Sequence, residues 1–187
     1  AEQKDFIKSF NDEGKLMFEL SSLHAGIAKP IEAGTTECAL GPQTPFLVME
    51  WLEGCSLAQL IDEWRAAGTR GLSIHEVLSL LEPVAGALGI AHAQGVAHRD
   101  IKPANIIITE VMGTKTAKIL DFGIAKVMQD FRSAACAQTA RAPDSMASFT
   151  PMYAAPEQWV TRLGASGPWS DVFSFALVCA ELLCGRR

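Results

Sequence analysis

One short stretch of the sequence, residues 98–105, brings together side chains that could do chemistry. It places an acid, Asp100, a base, Lys102, and an amide, Asn105, within eight residues. A second carboxylate, Asp121, follows further along the chain. Amide and carboxylate oxygens are hard ligands that suit Mg²⁺. These residue types could hold a hard cation beside a carboxylate and a lysine.

Two short runs of residues predict how these ligands come together. Residues 106–109 and 117–120 are β-branched or apolar, and a turn containing Gly113 separates them, which is typical of a β-hairpin. Antiparallel pairing places Asn105 at the start of one strand and Asp121 at the end of the other. Both oxygen ligands then lie at the same end of one ribbon.

Helical patterns surround this hairpin. Residues 5–20 and 56–64 carry apolar residues at helical spacing, and Ser56 is a candidate N-cap for the second of these helices. Ser73 is predicted to cap a long amphipathic helix that ends at Gly95. Pro83 is expected to kink that helix. Its apolar stripe comprises Val77, Leu80, Leu81, Val84, Leu88 and Ala91. The stripe predicts a helix buried along one face.

The remaining elements are two strands, a long loop and a last helix. Residues 27–33 and 45–51 predict strands joined by a loop over 35–44. Residues 124–149 have little periodicity and predict a long loop. Ser170 and Asp171 are predicted to cap a helix that Gly185 ends. Its predicted buried face comprises Val172, Phe175, Ala176, Cys179, Leu182 and Leu183.

Composition narrows the class of protein. The 187 residues are 49% hydrophobic and 20% charged, as in a single soluble globular domain. A net charge of −5 gives no electrostatic reason to expect a nucleic acid or an anionic membrane as partner.

The five cysteines form no C-x-x-C pair, which favours a reducing, cytoplasmic setting. The longest apolar run, 172–184, contains Glu181 and is too short to span a bilayer. No signal peptide is expected over 1–11, and a membrane anchor would have to lie outside this chain.

Two motifs carry a resemblance to a known family. The stretch 98–105 reads H-R-D-I-K-P-A-N, and 121–123 reads D-F-G. Together they match the H-R-D-x-x-x-x-N and D-F-G pair of protein kinases. The chain resembles a eukaryotic-like (Hanks-type) Ser/Thr protein kinase of bacterial style. This implies an α+β, protein kinase-like fold present in part, with an N-lobe remnant over 1–49, a hinge over 50–54 and a C-lobe portion over 55–187 that includes an activation loop at about 121–157.

The resemblance also implies a reaction and a role for each residue. The reaction is transfer of the γ-phosphate of ATP to Ser/Thr hydroxyls of protein substrates. Asp100 would orient the hydroxyl and accept its proton, and Lys102 would reach the γ-phosphate. Asn105 and Asp121 would bind Mg²⁺, with Mn²⁺ as the alternative metal. Thr150, in a segment that resembles G-T-P-x-Y-x-A-P-E, would bridge Asp100 and Lys102 and favour Ser/Thr over Tyr substrates.

The nucleotide-binding residues follow from the same resemblance. Met49 matches the gatekeeper, while Glu50 and Leu52 match hinge residues that flank the adenine through their backbones. An ordinary edge strand is the alternative interpretation of this segment. Glu13 matches the αC glutamate that pairs with a strand lysine, Glu19 is the alternative, and both could instead be solvated helix charges.

Three further positions have roles implied by the family. His98 would pack against the D-F-G segment, and Asp171 would bond the backbone of the catalytic loop. Arg99 would be neutralised by a phosphoryl group on the activation loop. The available hydroxyls there are Ser133, Thr139, Ser145 and Ser148. Phosphorylation in this segment is expected to raise activity.

Two parts of the kinase pattern are missing. The sequence contains no Gly-rich loop and no strand lysine upstream of Glu13, since Lys4 and Lys8 share a helix with it. We therefore expect the chain alone to bind nucleotide weakly and to have little kinase activity. The alternatives are a pseudokinase-type nucleotide-binding or scaffold module and an unrelated α+β domain. The intact set of Asp100, Lys102, Asn105 and Asp121 favours an active kinase as the parent protein.

Overall fold

The structure is a computed structural model that describes residues 2–38, 41–111, 113–120, 122 and 152–185, with side chains except at 2–6, 13, 38, 41–43, 111 and 161. Its helices are α1 (Glu2–Leu23), α2 (Leu57–Ala66), α3 (Ile74–Ala93), α4 (Pro156–Trp159) and α5 (Pro168–Cys184), with 3₁₀ turns at Pro103–Asn105 and Thr161–Leu163. Its strands are β1 (Pro30–Cys38), β2 (Gly41–Met49), β3 (Gly54–Ser56), β4 (Ile106–Val111) and β5 (Thr114–Ile119).

The predicted hairpin is confirmed and forms part of a three-stranded antiparallel sheet in the order β3-β4-β5. Sequence did not predict β3, which pairs with β4 from Gly54 opposite Thr109. A Cβ at Gly54 would lie 2.0 Å from the carbonyl oxygen of Ile108, and the residue has a φ of 155°. Only glycine fits both the approach and the backbone angle, so this residue lets the chain after β2 join the sheet.

A second sheet pairs β1 with β2, and its bounds differ from the prediction. The register runs from Pro30 opposite Met49 to Cys38 opposite Gly41. The predicted loop over 35–44 is therefore wrong at its ends, because both of its outer parts are paired strand. Threonine favours strands, and a rule based on apolar runs overlooks threonines on a two-stranded ribbon.

A short segment joins the two sheets. The amide of Ile119 donates to the carbonyl of Gly26 at 2.8 Å, and the amide of Ala28 donates to the carbonyl of Ile119 at 3.0 Å. Ile27 and Ile119 are thereby paired in a parallel bridge. The end of β5, which leads to the D-F-G residues, is thus tied to the connection between α1 and β1.

The capped helices form as predicted. Ser56 caps α2 and Ser73 caps α3, each in a reciprocal capping box with the third helical residue, Gln59 and Glu76 respectively. Hydrogen bonds from Ser73 hold the pKa of Glu76 below its usual value. Pro83 lies inside α3, whose bounds continue past it on both sides.

Helix α3 is the centre of the core. Its buried residues are Val77, Leu81, Val84, Ala87, Leu88 and Ala91, which confirms the predicted stripe apart from the half-buried Leu80. Length and composition alone would allow α3 to cross a membrane, the one described helix of which this is true. Its apolar stripe packs within the core.

Helix α1 contains the predicted helix over 5–20 and is longer at both ends. Phe10, Met17 and Leu20 are buried. A Cβ on Gly14 would lie 3.1 Å from the Cβ of Ala33, so the glycine that weakens this helix lets it pack closely on β1.

Helix α5 differs from the prediction at its start and in its buried face. Its N-cap is Gly167, and Ser170 is the third helical residue. The buried residues are Ser170, Asp171, Ser174, Val178, Glu181 and Leu182, whereas Val172 and Leu183 are exposed. The prediction is confirmed for Leu182, which is buried, and for Phe175 and Cys179, which pack against the core. Apolar periodicity missed the buried polar residues, which are stable inside because they are hydrogen-bonded. Gly185 ends the helix in the left-handed conformation, as predicted.

Candidate active site

The predicted catalytic side chains lie together at the base of the β4-β5 hairpin. Lys102 Nζ is 2.5 Å from Asp100 Oδ2. Asn105 Nδ2 donates to Asp100 Oδ2 at 3.1 Å and to the Asp100 carbonyl at 2.9 Å. The Asp100 and Lys102 side chains keep 17% and 23% of their surface exposed. The three form one hydrogen-bonded cluster that a substrate can reach.

The orientation of the Asn105 amide suits a metal ligand. Its nitrogen faces two acceptors, so the amide can be assigned in only one way. Within the described residues no donor bonds its Oδ1, which leaves a hard oxygen for a cation such as Mg²⁺. No cluster of three or more His, Cys, Asp or Glu side chains in the described ranges could hold a metal ion by itself.

The second predicted ligand, Asp121, lies outside the described residues. Its neighbour Leu120 is described, and the amide of Leu120 donates to the carbonyl of Asn105 at 2.9 Å. The chain is therefore fixed beside Asn105 one residue before Asp121. This is the arrangement that the hairpin argument predicts for the backbone.

His98 acts as a scaffold for this cluster. It is fully buried, and its ring packs edge-on against Phe122 with centroids 4.9 Å apart, which confirms the predicted contact with the D-F-G segment. Its Nε2 donates to the carbonyl of Leu120 at 2.6 Å, and its Nδ1 accepts the amide of Asp100 at 3.3 Å. These two contacts assign one neutral tautomer.

Asp171 holds the backbone of the catalytic stretch from below. Its carboxylate is fully buried and accepts the amides of His98 at 2.7 Å and Arg99 at 2.6 Å, as predicted. His92, in the last turn of α3, contributes a third contact at 2.8 Å through Nε2. The sequence analysis did not single out His92. A polar residue at the end of an apolar helix was the signal that could have identified it.

Arg99 has unusual backbone geometry. Its φ of 69° is the one positive value among the described residues other than glycine. Its amide is held by Asp171, and its carbonyl accepts from Gln158 Nε2 at 2.8 Å. Its buried Nε has no partner within the described residues. The activation-loop hydroxyls proposed to supply its counter-charge (Ser133, Thr139, Ser145 and Ser148) lie outside the described residues.

The predicted hinge connects β2 to β3 without regular structure. Glu50 Oε1 accepts from Lys118 Nζ at 2.5 Å and from the Lys29 amide at 2.8 Å. Burial raises the pKa of Glu50, but these hydrogen bonds and charges lower it by more, so the pKa is below its usual value. The side chain is thus held by the protein. The amide of Glu50 donates to the carbonyl of Lys29 at 2.8 Å, so its carbonyl is the backbone group left for a hinge contact. Within the described residues no backbone hydrogen bond occupies Leu52. Met49, the predicted gatekeeper, ends β2 and packs against the core.

A buried carboxylate joins three parts of the C-terminal half. Glu181 in α5 accepts from Tyr153 Oη and from Arg65 Nη2 of α2, both at 2.5 Å. The Glu181 side chain is only 4% exposed. Nearby, Glu157 Oε1 accepts from Ser170 Oγ. Residues 153–157 are thereby fixed to α5 at two points, neither of which the sequence revealed.

Two other predicted site residues are outside the described parts. Thr150 lies among residues that the structure does not describe, and Glu13 lies in α1 with its side chain undescribed. Glu19, the alternative to Glu13, is exposed on α1. Their assigned roles stay predictions.

The fold and the site together define a class of protein. A family model described as "Protein kinase domain" matches residues 1–187, and the chain belongs to the protein kinase family. This confirms the resemblance drawn from the H-R-D-x-x-x-x-N and D-F-G motifs, and with it the α+β kinase fold.

The relatives are bacterial enzymes. The chain is 38% identical over 184 residues to the serine/threonine-protein kinase PknA of Mycobacterium tuberculosis, covering 98% of this chain and 38% of PknA. It is 37% identical over 149 residues to Pkn1 of Myxococcus xanthus, covering 78% of this chain and 19% of Pkn1. The crystal structure of the M. tuberculosis PknI kinase domain (C20A_R136N double mutant) matches with a TM-score of 0.64 and 25% identity, over 97% of this chain and 59% of that one. The chain thus spans less than two thirds of each of these proteins.

Proposed function

We propose that the protein to which this chain belongs transfers the γ-phosphate of ATP to Ser/Thr hydroxyls of protein substrates, with Mg²⁺ as the metal, in intracellular signalling. The observation that carries the proposal is the hydrogen-bonded cluster of Asp100, Lys102 and Asn105 in a chain of the protein kinase family. The curated relatives named as serine/threonine-protein kinases support the class of acceptor.

The chemistry follows from the cluster. Phosphoryl transfer depends mainly on alignment and on neutralising charge. Asp100 orients the acceptor hydroxyl and takes up its proton as the new oxygen–phosphorus bond forms. The bond from the γ-phosphorus to the bridging oxygen breaks in the same step, and ADP leaves. Lys102, bonded to Asp100 in the structure, offsets negative charge at the phosphoryl group. Asn105 and Asp121 would hold the metal, which would neutralise further charge on the phosphates of the nucleotide.

The remaining residues position the nucleotide and the acceptor. Met49 borders the adenine pocket, and the backbones of Glu50 and Leu52 bond the adenine edge. Glu13 would pair with a phosphate-binding lysine, which this sequence does not contain, and Thr150 would bridge the catalytic side chains. For Glu50, the ion pair that occupies its side chain supports a role for its backbone.

We also propose a cytoplasmic location for the domain. The free thiols of Cys55, Cys179 and Cys184 support a reducing compartment. Burial raises the pKa of the Cys179 thiol, which keeps it protonated and unreactive there.

Product analysis tests the proposed reaction. The whole protein is incubated with Mg-ATP and a mixture of proteins, and phosphorylated residues are identified by mass spectrometry, with the Asp100→Asn variant as the blank. Phosphoserine and phosphothreonine that appear only with the wild type support the proposal. Phosphate on tyrosine alone, or equal products from both proteins, contradicts it.

A further inference from the structure

The peptide between Arg99 and Asp100 is held at both ends. Its carbonyl accepts from Gln158 Nε2 at 2.8 Å, and its amide donates to His98 Nδ1 at 3.3 Å. A peptide group is planar, so its carbonyl and amide rotate together. Rotation of this one plane would move Asp100, and it would break both hydrogen bonds.

The constraint matters because the backbone here is strained. Arg99 has a φ of 69°, and a residue with a Cβ pays an energetic cost in that region. Such a conformation persists only where its surroundings enforce it. Asp171 secures the amide of Arg99, which belongs to the preceding peptide plane. The Arg99–Asp100 plane itself is held by Gln158 at its carbonyl and by His98 at its amide.

The side-chain amide of Gln158 suits it to hold the carbonyl of Arg99. It is the third residue of α4, and its Oε1 accepts the amide of Ala155 at 2.9 Å while its Nε2 donates to Arg99. One end of the side chain faces a donor and the other faces an acceptor, so a single amide orientation satisfies both. A carboxylate of the same shape would satisfy Ala155 and oppose Arg99.

We infer that Gln158 is a positioning residue, which fixes the Arg99–Asp100 peptide and couples the substrate-facing segment around Ala155 to the orientation of the Asp100 carboxylate. A helix-capping role alone requires only the bond to Ala155. The bond to Arg99 crosses 59 residues of sequence and has no capping purpose. This inference rests on the proposed phosphotransfer function.

Kinetics of the whole protein test it with Gln158→Met and Gln158→Glu. Each variant loses the donor to Arg99, and we expect kcat to fall about tenfold with the KM for ATP changed by less than about twofold. In Gln158→Glu the new carboxyl group faces the carbonyl of Arg99, so lowering the pH from about 8 to about 6 should protonate a fraction of it. The protonated carboxyl can donate to that carbonyl again. The ratio of Gln158→Glu to wild-type activity should therefore rise as pH falls, while the Gln158→Met ratio stays flat.

Gln59 offers a matched control. It is also the third residue of a short helix, and its Oε1 accepts the amide of its cap, Ser56, at 2.8 Å. Gln59→Met and Gln59→Glu should keep kcat within about twofold of wild type. A wild-type kcat in Gln158→Glu, or losses in the Gln158 variants that match those in the Gln59 variants, would overturn the inference.

Hydrogen exchange separates this inference from the proposed function. The amide of Asp100 should exchange faster in Gln158→Met than in the wild type, whether or not the protein transfers phosphate, because the plane that carries it is released. Equal exchange would overturn the inference on its own. An inactive wild type would overturn the proposed function instead.

Discussion

Replacing Asp171 by asparagine perturbs the support of the catalytic stretch with almost no change in shape. In the wild type Oδ1 accepts the amide of Arg99, while Oδ2 accepts the amide of His98 and contacts His92 Nε2. An asparagine has one oxygen, so either orientation of its amide turns an NH₂ group toward one of the two backbone amides. One backbone donor is then unsatisfied inside the protein.

The magnitude follows from these contacts. A hydrogen bond to a charged group contributes about 1.5–3 kcal/mol, and a buried donor without a partner costs about 1–3 kcal/mol. Asp171→Asn should therefore lower the free energy of unfolding by about 2–4 kcal/mol, a large share of the roughly 5–15 kcal/mol of a typical domain. The positive φ of Arg99 loses its main support, so kcat should fall at least about tenfold even where the variant is folded.

Urea denaturation and steady-state phosphotransfer by the whole protein measure both effects. Asp62→Asn is the matched control, because Asp62 is 71% exposed and, among the residues that the structure describes, pairs with Arg65 alone, in the same helix. It should change stability by less than about 1 kcal/mol. An Asp171→Asn protein that loses less than about 1 kcal/mol and keeps its wild-type kcat would refute the assignment of Asp171 as the support of this backbone.

Two other substitutions test separate contacts. Glu50→Gln removes the charge that pairs with Lys118, and this ion pair should stabilise the folded protein by about 1 kcal/mol. The folded pKa of Glu50 is lowered, so the stabilisation should be complete well above pH ~4.3 and disappear as pH falls through the folded pKa. Melting temperatures of both proteins from pH 7 to pH 3 check this, and a difference independent of pH would contradict it. Tyr153→Phe removes a donor to the buried carboxylate of Glu181. The free energy of unfolding, measured by urea denaturation, should fall by about 1–3 kcal/mol. A variant as stable as the wild type would show that this bond contributes nothing.

Sequence predicted the parts of the fold that depend on local chemistry. Ser56 and Ser73 begin α2 and α3 because a hydroxyl before an apolar period caps a helix whatever lies around it. The hairpin follows from two β-favouring runs and a glycine turn. Asp100, Lys102 and Asn105 lie within six residues of each other, so a short motif was enough to bring them together.

Contacts between distant residues could not be predicted in the same way. Gln158 reaches Arg99 across 59 residues, and Lys118 reaches Glu50 across 68. A glutamine or lysine in isolation looks like an ordinary surface residue, and only the tertiary fold gives it a partner. Helix α5 shows the related error for burial. Its polar residues Asp171 and Glu181 are buried because distant residues hydrogen-bond to them.

The central claim is that Asp100 and Lys102 act as one phosphotransfer site, and a double-mutant comparison in the whole protein tests it most directly. Transfer rates are measured with Mg-ATP for Asp100→Asn, Lys102→Met and the double variant. Residues that act as a unit give non-additive losses. Each single variant should lose at least about 100-fold, and the double variant should be about as slow as the slower single one. Nearly wild-type transfer by Asp100→Asn, or a double variant whose loss is the product of the two single losses, would contradict the account.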